Sequence, residues 1–171
     1  MNIGAEPLFA EEQERCYSFG MGKLDSATGI PENIIYLTGR VIFYVQRIEQ
    51  KLKRVIHIVH EMGHSESFKI KKIKRLTLGE IVKEVEGYKV FTENGMQVLR
   101  DLNGNRNYVS HEMFDGMGFC DERNKEKEKE IFESVREIAQ KLMEFYHRTI
   151  MNVWQHYENE FYSFQYSKEE E

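Results

Sequence analysis

The sequence predicts an all-α fold, an antiparallel helical bundle built on two long helices with shorter helices between them. Three observations carry that expectation. Apolar residues recur at alternating spacings of three and four along two long stretches. Nothing alternates over a useful length with the period of two that a half-buried strand needs. The stretches are bounded by the Pro, Gly and capping residues that start and stop helices. The chain has 171 residues, of which 40% are hydrophobic and 31% charged, with only two Pro. That size supports one ordinary domain with its own core, and the composition excludes disorder over most of the length.

Residues 1–30 read as an arm, punctuated by Gly and Pro and holding one short candidate helix, Leu8 to Phe19. The bundle is assigned to 31–166, and 167–171 to a frayed acidic tail. Pro31 suits the first position of a helix. After it, Val41, Val45, Ile48, Leu52, Val55, Val59 and Met62 form one apolar stripe, and Gly63 suits a C-terminal stop. A basic segment follows, Lys69-Ile-Lys-Lys-Ile-Lys-Arg75. In Thr77-Leu-Gly-Glu80 the Thr and Glu stand three apart, as in a capping box, and open a second helix to about Val85. A third is expected over Glu93 to Leu102. It should break at the turn signal Asn103-Gly-Asn105 and restart with Asn105 as N-cap and Arg106 to Phe114 as body. From Asp121 to about Phe161 one long helix should bury a stripe running from Ile131, Val135 and Ile138 through Leu142, Phe145 and Ile150 to Val153, Trp154 and Tyr157.

Charge and cysteine usage narrow the function classes. Basic residues number 24 and acidic residues 29, a net charge of −5, with a pI near 5.8. Such a balance argues against non-specific coating of nucleic acid while allowing a local basic patch. No apolar run approaches the roughly 20 residues of a membrane helix, and Met1 to Phe9 lacks the basic start of an export signal. A soluble protein of the cytoplasm, without membrane contact, is therefore expected. Cys16 and Cys120 are too few for a disulfide framework and are expected as free thiols.

Two motifs compete for the chemistry. His60-Glu-Met-Gly-His64 matches H-E-x-x-H, in which two His on one helical face hold zinc and the Glu polarises the bound water. That reading makes the protein a zinc peptidase using His60, Glu61 and His64. Against it, a helix stopping at Gly63 leaves His64 outside the helical frame, and no third ligand follows in a recognisable segment. The second motif is Arg106-Asn-Tyr-Val-Ser-His111. At roughly 100° per residue, Asn107 and His111 share a face, while Arg106 lies about 140° from His111 and has to reach round. If Arg106 opens a helix, free N–H groups there favour an anion. The set suits a phosphate: Arg106 to hold oxygens, Asn107 to orient, and His111 to exchange protons. A capping Asn, a surface Arg and a packing His would leave the same pattern.

The second motif resembles the signature of HEPN domains, small helical bundles with an Arg, a polar residue, three variable residues and a His. Ile48-Glu-Gln-Lys-Leu-Lys-Arg-Val-Ile56, Thr77-Leu-Gly-Glu-Ile81 and Leu99 to Phe114 are similar in order and spacing to the same domains, so the likeness spans about Asn33 to Tyr157. The resemblance implies a homodimer that joins two copies of the motif, and metal-independent endoribonuclease activity needing no cofactor. It implies a defence or toxin-type role, with a cognate antitoxin or regulatory protein as a further partner. Arg106 and His111 match the catalytic positions and Asn107 the polar position. Some toxins of this family are silenced by modification of a Tyr two residues after the His; Met113 stands there, so that regulation is not implied. Members without catalysis serve as scaffolds, which leaves a silent interaction or RNA-binding module as the alternative. For RNA contact the candidates are Tyr108, by stacking, and the basic run Lys69, Lys71, Lys72, Lys74 and Arg75, by attraction. That run could equally be a solvated loop.

Overall fold

The computed structural model describes residues 30–63, 73–113 and 125–169. They form an all-α bundle. Helix α1 is Glu32–Glu61, α2 Leu78–Gly87, α3 Glu93–Asn107, α4 Lys125–Phe145 and α5 Met151–Glu169. Five-residue π turns extend α3, at Tyr108–Glu112, and join α4 to α5, at Tyr146–Ile150, so the last two helices are one continuous rod. No helix among the described residues is long and apolar enough to cross a membrane. Residues 1–29 of the arm, with Cys16, and Lys69, Lys71, Lys72, Phe114 and Cys120 lie outside the described residues.

The apolar stripe of α1 dictates the packing. Val41, Ile48, Leu52 and Val55 are wholly buried, and they meet the α4–α5 rod along most of its length while α2 and α3 cover the remaining side. Pro31 proves to be the N-cap, one position outside the helix; its carbonyl accepts from the N–H groups of Ile34 and Ile35. Gly63 carries φ +80, the left-handed conformation that ends a helix at little cost only in glycine. At the start of α2 the capping box closes as its spacing requires: the Thr77 hydroxyl accepts from the Glu80 N–H at 3.4 Å, and the Glu80 carboxylate accepts from the Thr77 N–H at 2.8 Å.

The sequence reading expects an antiparallel bundle, and its antiparallel pair is α3 against α4. Asp101 and Asn105 share a groove with residues near Lys141 to Thr149, while Tyr108 and Met113 share one with Lys127 to Ser134. The two long helices instead run parallel: Arg40 meets Met143, Lys51 lies over Trp154, and Arg54 binds Glu158. The return between them is made by α2 and α3.

Three expectations are corrected. Asn103-Gly-Asn105 does not break the chain; α3 runs through it into the π turn. Burial of Leu99, Leu102 and Val109 on both sides of the triplet outweighs its turn propensity, and Asn103 packs close beside Gly79 of α2. Asn105 is therefore no N-cap, and Arg106 stands near the end of a helix. The tail is not frayed from Ser167: α5 continues to Glu169, with the Ser167 hydroxyl donating to the Phe164 carbonyl and Lys168 over the Phe164 ring. Val153, Trp154 and Tyr157 are only half-buried, because the wall of α5 against α1 is partly polar.

That polar wall centres on Glu158, to which Arg54 and Trp154 donate. Arg54 donates from Nε at 2.7 Å and from its terminal nitrogen at 3.0 Å, and Trp154 donates at 3.1 Å. Chiefly through the Arg54 bond, the Glu158 carboxyl is held below the usual carboxylate range. Its contribution is therefore full above the ordinary Glu pKa and fades as pH falls through the lowered value. Glu158 is 10% exposed and Arg54 37%, so replacing Glu158 by Ala should cost about 1–3 kcal/mol, less than a fully buried pair would. Thermal melts at neutral pH and at pH 3 test this: the difference between parent and Glu158→Ala should shrink on acidification.

Candidate functional site

The R-N-x-x-x-H motif spans the end of α3, with Arg106 and Asn107, and the π turn, with His111. The Met113 N–H reaches the Tyr108 carbonyl at 2.9 Å, an i→i+5 bond. Such turns are rare and frequent at functional sites. Because a π turn rotates less per residue than an α turn, it also brings His111 nearer the azimuth of Arg106 than the 140° of an unbroken α-helix. Val109 and Met113 anchor the turn in the core. Opposite them, Asn107 and His111 stand exposed on the outer ridge.

Two grooves flank this ridge. On one side a groove of about 300 Å³ is lined by Ile42, Val45, Gln46, Glu49 and Gln50 of α1 and by Arg106 and Ser110. Its lining is mainly polar, and the Glu49 carboxylate is neutralised by Lys53 at 2.6 Å. On the other side Tyr108, Glu112 and Met113 face Lys127, Glu130 and Ser134 of α4. Tyr108 is half-buried against the core, so only part of its ring is open to a stacking partner. Among the described residues, the side chains of Arg106, Asn107 and His111 make no hydrogen bond or ion pair with a protein group. Their polar atoms remain available to a ligand.

One chain does not bring Arg106 and His111 into a single pocket: Arg106 lines the α1 groove and His111 the ridge beside it. The helix-terminal anion site expected at Arg106 is absent, because α3 begins at Glu93 and continues past Arg106 into the π turn, so no helix N-terminus with free N–H groups lies there. Gln46, Glu49, Gln50 and Ser110 were not legible as site residues. A signal was present for the three on α1: Gln46, Glu49 and Gln50 border the core stripe at Val45, Ile48 and Leu52, where a polar run lies beside whatever packs next. Lys74 and Arg75 are exposed, and Ile73 and Leu76 around them are buried, so the end of the basic run is a surface held by apolar anchors.

The zinc motif is divided by the end of α1. Glu61 is the last helical residue, and His64 lies outside the described residues. His60 Nε2 lies 2.9 Å from the Tyr88 hydroxyl, with the Glu84 carboxylate 3.3 Å from the same oxygen. Glu61 pairs loosely with His57 at 4.0 Å. Among the described residues no three His, Cys, Asp or Glu gather as a metal site would require. An excess of chelator should leave the melting temperature and helical content unchanged, whereas zinc bound at one per chain and lost on replacing His60 and His64 would establish the peptidase site.

Compared with known proteins, the chain matches no family model, no curated protein and no solved structure.

Proposed function

We propose that the protein is a metal-independent endoribonuclease acting through Arg106 and His111 at a composite homodimer site, with Asn107 orienting the phosphate. The observation that carries this reading is the motif spanning the end of α3 and the π turn, with three polar side chains presented to solvent and, among the described residues, without side-chain partners. The resemblance to HEPN domains supports the same assignment, and with it a toxin or defence role answerable to an antitoxin or regulatory protein.

RNA carries its own nucleophile, so the chemistry asks for a base, an acid and a cation. A neutral His111 takes the 2′-OH proton as O2′ attacks phosphorus. The bond from phosphorus to the 5′ oxygen breaks, and that oxygen takes a proton from a second, protonated imidazole. The products are a 2′,3′-cyclic phosphate and a 5′ hydroxyl. A single His cannot hold both protonation states at once, which is why a second copy enters. Arg106 offsets the charge that grows on the phosphoryl oxygens, and its planar fork suits them. Lys74 and Arg75, with the rest of the basic run, supply attraction for the backbone. The test is cleavage of single-stranded RNA in excess chelator, leaving cyclic or 3′-phosphate ends, with resistance when the 2′-OH is replaced by deoxy or O-methyl.

A second reading, a silent interaction module, draws on the separation of Arg106 and His111 within one chain. It predicts a dimer or RNA complex without cleavage.

A further inference from the structure

Among the described residues, the exposed large apolar side chains outside the C-terminal helix lie on the first half of α1. Ile35 is 40% exposed, Tyr36 47%, Ile42 39% and Phe43 53%. These four recur at −4, −3, +3 and +4 around Gly39, so all lie on one face within about 60° of it. Clustered large apolar side chains on water mark a contact surface. Gly39 at their centre is open: a Cβ there would meet nothing within 4 Å. The spacing reads the same in both directions from Gly39. An antiparallel second copy crossing at Gly39 would therefore set each of these apolar residues against an apolar residue of its partner, i against j and j against i.

We infer that a second copy of this chain docks here, with the two α1 helices antiparallel and crossing at Gly39. Phe43 then packs on Ile35 of the partner subunit, and Ile42 on the partner's Tyr36. The missing side chain at the crossing lets the backbones approach closely. Charge agrees with the same register. Glu32 at −7 comes beside the partner's Gln46 and Arg47, and both charged side chains are exposed and without an ion-pair partner among the described residues. A second copy thus meets this face with apolar residues against apolar residues and an acidic residue beside a basic one.

The interface runs into the candidate site. Ile42 belongs to the apolar face and also lines the Arg106 groove. Only three residues, about 4.5 Å along the helix, separate it from the axis. The partner's Tyr36 and Glu32 thus wall the open side of the groove, and two Arg106 grooves flank the axis. The docking surface stands on the exposed face alone; its service to RNA cleavage rests on the nuclease reading above.

Light scattering should show a dimer at high micromolar concentration and a monomer for Phe43→Arg, with far-ultraviolet circular dichroism unchanged. In a chain with Cys16 and Cys120 replaced by Ser, Gly39→Cys should form a disulfide-linked dimer under mild oxidation, because the two α-carbons come within the roughly 4–7 Å a disulfide spans. Gln97→Cys, exposed on α3, should not. A parent that is monomeric at every concentration, or a dimer that survives Phe43→Arg and fails to crosslink at Gly39, overturns the surface. RNA cleavage separates the two claims. A Phe43→Arg monomer that cuts at the parent's rate leaves the interface standing and ends the composite-site reading. A protein that cuts RNA as a dimer uncrosslinked at Gly39 keeps the nuclease and rejects this interface.

Discussion

His111→Ala should lower RNA cleavage in excess chelator by about 10²–10⁴-fold, the usual contribution of a positioned general acid or base. Because the proposed site uses His111 twice, as base in one copy and acid in the other, a mixed dimer of parent and variant chains should already be strongly impaired, lacking one of the two, and the variant itself at least as much. Arg106→Ala should fall into the same range through lost charge stabilisation. Arg106→Lys should recover little, because an ammonium is a point charge where the phosphate asks for a fork. His111 is exposed and, among the described residues, the Arg106 side chain makes no bond to a protein group, so neither change should move the melting temperature by more than a degree or two. Glu61→Ala should leave the rate alone, which separates this site from the H-E-x-x-H alternative in the same assay. A His111→Ala protein that cuts as fast as the parent assigns the activity elsewhere, and the interaction module becomes the reading.

The fold was legible wherever a local rule and the core agreed. The stripe of α1, the stop at Gly63 and the box at Thr77 and Glu80 are each decided by groups within one or two turns of sequence, and all three stand. Asn103-Gly-Asn105 misled because its turn chemistry is real but small, while the pull of buried Leu99, Leu102 and Val109 comes from helices distant in sequence. The same blindness hid the parallel course of the long helices, since periodicity reports which face is buried and says nothing of direction. Of the candidate site, the motif itself was legible. The π turn beneath it and the groove from α1 were not, because a groove is made by two helices and no single stripe records it. Glu158 was missed for a related reason: a carboxylate in a helix reads as solvent-facing until Arg54 and Trp154 are brought beside it.

Leu102→Ala should produce the largest loss of stability without touching the chemistry. Leu102 has no exposure and sits on α3 between Leu99 and Val109, directly before the motif. Removing its side chain costs the transfer of the lost methyl groups from water and leaves a cavity that close-packed helices fill poorly. The expected penalty is about 2–5 kcal/mol, which for a domain of this size lowers the melting temperature by about 4–20 °C. The penalty is paired with a kinetic expectation that divides scaffold from catalysis. Well below its melting point the variant's folded fraction still presents Arg106 at the end of α3 and His111 on the π turn, so cleavage per folded molecule should stay within a few-fold of the parent's. On warming, activity should vanish along the unfolding curve measured by circular dichroism. His111→Ala must do the reverse, keeping the melting curve and losing the rate. If Leu102→Ala instead abolished cleavage while fully folded, the turn beneath the motif would depend on the packing of α3 far more tightly than the anchors at Val109 and Met113 indicate.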